Sequence, residues 1–529
     1  NMAEEAVATP AGDGAADGKP KKKHKLSFPT AFTILFVITI LAVIATWFIP
    51  AGAYSKVAYV ADSGVFQITE PDGNVRTIEG TAEAFHADPE LADMKIDVNQ
   101  FLNGAITKAI SVPGTYTELE SQPMGVADVF TSMVNGTING VDIMVFILVL
   151  GGLIGVVNAS GAFESGLVAL TKKTKGREFA LVFLVAALMV LGGTTCGLEE
   201  EAVAFYPILV PIFLALGYDS IVCVGAIFLA GSMGTTFSTI NPFSVVIASN
   251  AAGVIWTEGI MWRVIGCIVG GIVVIAYLYW YCKKVKANPE FSYTYEDREK
   301  FAQLYATHDP ESDNLPAFDW KRKVILVLFI MAFVIMVWGV VTQGWWFPQM
   351  AASFLAVAIV CMFLCGLDEK TVTDAFVSGA SSLVGVSLII GLARGVNMIM
   401  ENGLISDTLL YWASNAVAGM SGPLFILMMM VMFFLLGFIV PSSSGLAVLA
   451  MPILAPLADT VGIDRSIVVS AYNWGQYAML YLAPTGLVMA TLTMLDMKYS
   501  HWVKFVLPMV GFLFVFGGAL LVIQVMVGA

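Results

Sequence analysis

Charged residues are scarce in this sequence of 529 residues. Asp, Glu, Lys and Arg make up 13% of the chain, whereas hydrophobic residues make up 58%. Soluble domains carry about 25% charged and about 45–50% apolar residues, so the composition excludes an ordinary soluble protein. Histidine occurs only 4 times, always outside the apolar runs, which argues against a buried zinc site and a histidine proton relay. We therefore predict neither an enzyme nor a metal site.

The apolar residues form runs that are long enough to cross a membrane, which takes about 20 residues. No cysteine interrupts the acidic segment between Tyr54 and Asp128, so a disulfide framework is not expected there. The runs predict an all-α polytopic membrane protein. The clearest are Phe28–Ile49, Val141–Ala159, Ile260–Tyr281, Val324–Val341, Met350–Cys365 and Phe505–Val527.

The placement of charge predicts the orientation of the chain. By the positive-inside rule, basic loops are cytoplasmic, and the basic clusters are Lys19–Lys25, Lys172–Arg177, Lys283–Lys323 and Lys498–Lys504. We expect a multi-pass protein of the bacterial inner membrane with a cytoplasmic N-terminus. The acidic loop then lies outside, and its turn signals at Asp62-Ser63-Gly64 and Asp72-Gly73 predict small β-hairpins.

An internal repeat organises the chain. Ala202-Val203 followed by Pro207 and Pro211 recurs, 245 positions later, as Ala447-Val448 followed by Pro452 and Pro456, and such a run of matches indicates duplication. The first copy starts from the acidic outer loop and the second from the cytoplasm, so we predict inverted-topology repeats, the architecture of many secondary transporters.

The repeat divides the chain into predicted segments. Each copy should contain a re-entrant helical hairpin and a helix broken by a proline, because such backbone is tolerated in a membrane only where protein or a water-filled cavity satisfies it. The segments are a cytoplasmic tail (1–28), a first span (29–50), an outer loop (51–125), repeat 1 (126–282, hairpin 191–216, broken helix 220–250), a cytoplasmic linker (283–322), connecting scaffold spans (323–371) and repeat 2 (372–529, hairpin 438–458, broken helix 465–495).

The hairpin tips resemble those of a known family. Gly193-Thr-Thr-x-Gly-x-Glu-Glu200 and Pro441-Ser-Ser-Ser-Gly445, with the long acidic outer loop, resemble the YfcC family, which is related to the anaerobic four-carbon dicarboxylate carriers within the ion transporter superfamily. The resemblance implies a scaffold that forms a homodimer and a transport domain that moves like an elevator. It also implies basic amino acids as substrates, with arginine–ornithine exchange as the model.

The two tips differ in charge. Glu199 and Glu200 align with Ser444 and Gly445, so only the first tip is anionic. A carboxylate at membrane depth costs about 2.5 kcal/mol or more unless it is paired, which predicts contact with a substrate cation. The alternative is that the glutamates only stabilise the start of a helix, a role that suits Glu201.

The other candidate residues are polar groups of the tips, the breaks and the spans. The serine tip suits a carboxylate, although serines there can also be ordinary helix caps. Arg394 can bind a substrate carboxylate, pair with Glu401 or a tip glutamate, or point outward. Asn473 and Gln476 can line the cavity or join helices. The predicted substrate-binding set is Thr194, Thr195, Glu199, Glu200, Ser238, Thr239, Asn241, Arg394, Ser442, Ser443, Ser444, Asn473, Gln476 and Thr485.

These patterns predict a secondary active transporter for amino acids, most specifically basic ones. The alternatives are a carrier of four-carbon dicarboxylates or other small carboxylates, and, from another class, a channel, which closed hairpin tips disfavour. We expect a small-molecule substrate, a lipid bilayer and a second copy of the chain as partners, with no nucleic acid. No cofactor is expected, and coupling to Na⁺, coupling to H⁺ and exchange all remain open.

Overall fold

The computed structural model describes residues 31–528, except residues 95, 97, 104–108, 242–243, 246, 255, 305–315, 346, 441–442, 456, 459–460 and 485. The described chain is mostly helical, as the apolar runs predicted. Before the first repeat it contains α1 (Ala31–Phe48), β1 (Gly52–Ala53), β2 (Lys56–Val60), β3 (Val65–Thr69), β4 (Val75–Glu79), α2 (Ala82–Ala87), α3 (Asn99–Leu102), β5 (Ile110–Ser111) and β6 (Thr117–Glu118).

The two predicted repeats contain the same order of helices. The first comprises α4 (Val126–Asn139), α5 (Val141–Ala159), α6 (Ala162–Lys173), α7 (Phe179–Cys196), α8 (Tyr206–Ala215), α9 (Ser220–Thr236), α10 (Ile247–Ala252) and α11 (Ile260–Ala287). Between the repeats lie α12 (Arg298–Leu304), α13 (Trp320–Gln343) and α14 (Phe347–Leu364). The second comprises α15 (Glu369–Ser382), α16 (Val384–Asn402), α17 (Ser406–Val417), α18 (Gly422–Ile439), α19 (Ser443–Leu454), α20 (Arg465–Leu480), α21 (Gly486–Leu495) and α22 (Tyr499–Val527).

Local backbone geometry also recurs at matching positions of the two predicted repeats. Gly217 and Gly462 both adopt a positive φ, 92° and 72°, which a glycine tolerates at no steric cost. Two residues later, Asp219 and Asp464 cap α9 and α20, because each side chain accepts a hydrogen bond from a backbone N–H of the first turn. These matched caps support the predicted duplication.

The repeats pack on each other reciprocally. Helix α4 of the first lies along α16 of the second, and α15 of the second lies along α5 of the first. Glycines allow the close approach: a Cβ on Gly136 would lie 2.3 Å from the backbone nitrogen of Gly395, and one on Gly379 would lie 2.2 Å from the carbonyl oxygen of Gly151. A two-fold relation produces such exchanged contacts.

The outer loop folds into a small β domain. Strands β2 to β5 form an antiparallel sheet in the order β4-β3-β2-β5, and the hairpin turns occur at the predicted positions, with Gly64 and Gly73 at positive φ. Arg76 pairs with Glu70, Asp88 and Glu90. The Arg76 guanidinium lowers the pKa of the Asp88 carboxyl. This ion pair helps to hold α2 and the turn after it against the sheet.

This β domain is docked on the second repeat. The Lys56 ammonium lies 2.9 Å from the Asp407 carboxylate at the start of α17, and the rings of Tyr116 and Tyr411 stack with their centroids 4.1 Å apart. Strand β5 lies against α19. The loop is therefore a folded domain that contacts the predicted second hairpin, rather than a linker without tertiary contacts.

In the described residues, four helices are long and apolar enough to cross a membrane by themselves: Ile260–Ala287, Phe347–Leu364, Gly422–Ile439 and Tyr499–Val527. The bent pair α4 and α5 adds a fifth if it acts as one span. Several long helices also expose large apolar side chains, such as Leu188, Ile272 and Val515. Exposed apolar faces of this extent suit a bilayer rather than water.

Candidate functional site

The first hairpin is formed by α7 and α8. Helix α7 ends at Cys196 because Gly197 adopts a positive φ of 67°, a conformation that commonly terminates helices. A 3₁₀ turn then leads into α8, which ends at Ala215. The predicted hairpin (191–216) includes the last turn and a half of α7, which itself begins at Phe179.

Thr194 ties this tip to the break that follows α9. Its hydroxyl donates to the Phe237 carbonyl (2.9 Å), and the backbone N–H of Thr239 donates to the Thr194 hydroxyl and carbonyl oxygens (both 3.1 Å). The hydroxyl of Thr195 instead donates to the Leu191 carbonyl within α7 (2.6 Å). The two threonines predicted as substrate ligands thus both use their hydroxyl hydrogens inside the protein.

The polar residues of the first break form a buried set. The hydroxyl of Ser244 donates to Ser238 Oγ (3.0 Å), and the side-chain amide of Asn241 donates to the same atom (3.2 Å). A Cβ on Gly197 would lie 2.8 Å from the Asn241 amide nitrogen, so the hairpin tip rests directly on this residue. Ser238, Thr239 and Asn241, predicted separately from the tip, therefore lie together with it.

Glu199 lies in a closed cleft that both predicted repeats line and that has no room for a water molecule in this structure. Its carboxylate accepts a hydrogen bond from the Ser232 hydroxyl on α9 (3.2 Å). Among the described residues that line this cleft, Glu199 carries the one formal charge; the others are Leu198, Ala202, Tyr206, Ile227, Phe228, Gly231, Ser232 and, from the second repeat, Thr491. The described part of the cleft lining therefore contains one carboxylate, whereas the side chains of the adjacent Glu200 and Glu201 lie outside the described residues.

Helix α20 connects the second hairpin to the first break. The Tyr472 hydroxyl donates to the Ser443 carbonyl at the start of α19, and the Trp474 ring lies 5.0 Å, centroid to centroid, from Phe237. Between these two aromatics, Asn473 is fully buried, and neither its Oδ1 nor its Nδ2 has a hydrogen-bond partner in the described chain. Gln476, one turn further, is buried beside Gly437 of α18.

Arg394 lies at the contact between α16 and α4. Its guanidinium donates to the Asn139 carbonyl at the end of α4 (3.1 Å), where the helix dipole favours a cation. Among the described residues, the Asn139 carbonyl is the polar group that Arg394 contacts. Neither Glu401 nor a tip glutamate contacts it there. Ser442 and Thr485 lie outside the described residues, as do the side chains of Glu200 and Ser444.

Comparison with known proteins decides the family. The model of the family DcuC, described as C4-dicarboxylate anaerobic carrier, matches residues 28–526. This chain belongs to the DcuC family. The resemblance found at the hairpin tips is thereby confirmed, and membership makes the chain a membrane transporter by family.

Two curated relatives cover nearly the whole DcuC-family chain. An uncharacterised protein of Haemophilus influenzae is 61% identical over 505 residues, 96% of this chain and 98% of its own. YfcC of Escherichia coli, provisionally named a basic amino acid antiporter, is 28% identical over 521 residues, 95% of this chain and 97% of its own.

Two solved transporters also align with this DcuC-family chain. YdaH of Alcanivorax borkumensis has a TM-score of 0.41 at 15% identity and covers 94% of this chain and 99% of its own. MtrF of Neisseria gonorrhoeae, from a class of antimetabolite efflux pumps, has a TM-score of 0.40 at 16% identity and covers 95% and 96%. Similarity at this level adds nothing to the family assignment.

One residue of the DcuC-family core escaped the sequence analysis. Arg263 lies on α11, is 1% exposed and contacts the first break. The available signal was a charged residue inside the apolar run Ile260–Tyr281, which by default marks a functional position in a membrane segment.

Proposed function

We propose that this DcuC-family protein is a secondary active transporter for basic amino acids such as arginine and ornithine. The observation that carries the proposal is the Glu199 carboxylate in the closed cleft lined by both predicted repeats, which would have to open to admit a substrate. Substrate sites at a repeat interface are typical of secondary transporters. The negative charge of the Glu199 carboxylate favours a cationic group of the substrate over an anionic one, because opposite charges attract more strongly away from bulk water.

The α-carboxylate of the substrate needs a second site. Thr194 and Thr195 already donate to backbone carbonyls, which makes them weaker candidates than the sequence alone suggested. We assign the carboxylate to the backbone amides at the start of α19 (Ser442, Ser443 and Ser444) and to Asn473. An N-terminal helix end attracts anions, and the Asn473 amide has hydrogen-bonding capacity to spare in the described chain.

A four-carbon dicarboxylate is the second candidate, because the family description names such carriers. A dicarboxylate substrate would need a cationic side chain at the binding site. Arg394, the cation predicted for that role, binds a helix end, and Glu199 would repel a dianion. These contacts favour the amino acid.

The transport cycle that we propose is of the elevator type. The hairpins and broken helices would move as a unit against a scaffold of α1, α13 and α14 in a homodimer of the bacterial inner membrane. We propose no cofactor, with Na⁺ coupling, H⁺ coupling or exchange as the drive. Light scattering of the detergent-solubilised protein tests the dimer, which a monomeric mass would refute.

The proposed orientation predicts which loops are accessible from outside the cell. A cysteine placed at Asp72, exposed in the turn between β3 and β4, should react with a membrane-impermeant maleimide in whole cells. One placed at Lys284, exposed near the end of α11, should react only after permeabilisation. The parent protein supplies the background from native cysteines. The reverse pattern would overturn both the orientation and the inverted repeat.

Uptake into proteoliposomes tests the substrate. We expect arginine to accumulate, and to do so faster when the vesicles contain ornithine, with succinate and a neutral amino acid transported poorly. Repeating the assay with a Na⁺ gradient, a proton gradient or neither identifies the coupling. Succinate uptake that excess arginine does not inhibit would instead establish the dicarboxylate carrier.

A further inference from the structure

Arg263 is buried at the first break, where its guanidinium binds backbone carbonyls. Nε donates to Ser238 O (2.8 Å), Nη1 to Glu258 O (2.8 Å), and Nη2 to both Thr239 O (3.1 Å) and Trp256 O (2.6 Å). No carboxylate contacts it among the described residues. One side chain therefore joins the break after α9 to the turn before α11.

These contacts have a clear physical reason. Helix α9 ends at Thr236, so the carbonyls that follow it lose their helical partners, and unsatisfied carbonyls at membrane depth are costly. The C-terminal end of a helix also carries partial negative charge. A guanidinium offers five N–H groups in a fixed plane, which lets one cation satisfy several carbonyls and complement the helix end.

The second predicted repeat satisfies carbonyls at its own break with uncharged donors. Tyr481 O accepts a hydrogen bond from the indole N–H of Trp502 (2.8 Å), and Leu482 O accepts one from the hydroxyl of Tyr499. In both repeats the donors come from the last helix, α11 or α22. Among the described residues, both breaks thus receive donors from the last helix of their repeat, but a guanidinium supplies them only at the first break.

We propose that Arg263 is a tethered cation at the first break. It is a positioning residue: it fixes the unwound backbone that presents Thr239 and Asn241 to the hairpin tip. The Arg263 guanidinium also donates to two carbonyls of an unwound segment. In other transporters, carbonyls of broken helices coordinate the coupling ion. The positive charge of the guanidinium therefore disfavours a coupling cation at Ser238 O and Thr239 O. The consequence for uptake rests on the proposed transport function, whereas the contact with the break does not.

Chemical rescue tests the tethered cation. Arg263→Ala should unfold at lower temperature than the wild type and should transport roughly a hundredfold more slowly, the scale expected when one or two hydrogen bonds to a charged group are lost. Millimolar guanidinium chloride should raise both the unfolding temperature and the uptake rate of this variant. Arg263→Lys, which retains the charge but not the planar fork, should fold, transport poorly and show no rescue.

Arg322 provides a control away from the break, because its guanidinium also donates to backbone carbonyls, those of Ser160 and Ala317, although it pairs with Asp319 as well (3.3 Å). Millimolar guanidinium chloride should not raise uptake by Arg322→Ala or by the wild type. Wild-type uptake by Arg263→Lys, or an Arg263→Ala variant whose unfolding temperature guanidinium does not raise, would overturn the proposal. The unfolding measurement needs no substrate, so it remains decisive even if the wild type transports nothing in the substrate panel.

Discussion

Glu199→Gln is expected to abolish tight arginine binding while the protein remains folded. The substitution retains the shape of the side chain and an oxygen that can accept the hydrogen bond from Ser232, so the cleft should remain intact. It removes the charge that we assign to the substrate's cation. Breaking a buried ion pair costs about 3–5 kcal/mol, roughly a hundredfold to a few thousandfold in affinity. Equilibrium binding of radiolabelled arginine to the purified variants measures this loss.

Arg394→Gln is the matched comparison. Arg394 binds the end of α4 rather than the cleft, so its loss should weaken arginine binding far less than the loss of Glu199. The dicarboxylate reading predicts the opposite order, with Arg394 indispensable and Glu199→Gln tolerated. Tight arginine binding by Glu199→Gln would remove the proposed role of this carboxylate.

The features that could be predicted from the sequence are those with local signals. The glycines and aspartates before α9 and α20 recur in register and adopt the same turn and cap, because short-range sterics and a side-chain hydrogen bond determine them. The same reasoning located the turns of the outer β domain at Gly64 and Gly73. Helix α20 ends at Leu480, four residues before Pro484, which has no N–H to donate to the Leu480 carbonyl.

The features that could not be predicted depend on contacts between distant segments. Nothing near Gly136 or Gly379 in sequence indicates that each packs against the other repeat. Thr194 looked like a substrate ligand because it lies at a polar tip, yet its hydroxyl donates to Phe237 across the break. Arg263 was missed for the same reason: the carbonyls that it satisfies come from residues up to 25 positions away.

Asn473→Leu is expected to stabilise the protein and to abolish its transport. The Asn473 amide is fully buried with neither polar atom hydrogen-bonded in the described chain, and leaving such a group unsatisfied costs about 1–3 kcal/mol. Leucine has a similar size and removes that cost. If the amide instead exists to bind substrate, the same change removes a ligand. Thermal unfolding followed by tryptophan fluorescence, together with arginine uptake, measures both effects.

Gln524→Leu is the control for the gain in stability and the loss of transport expected of Asn473→Leu. Its side-chain amide is also buried in a helix but donates to the Leu520 carbonyl one turn earlier, so replacement should leave uptake near that of the wild type. The alternative for Asn473 is that it joins helices, a role worth about 0.6 kcal/mol on average in membrane proteins. In that case Asn473→Leu would lower the unfolding temperature, and transport would fall only as far as folding does. A variant that is more stable than the wild type and inactive is explained only by an amide kept for the substrate.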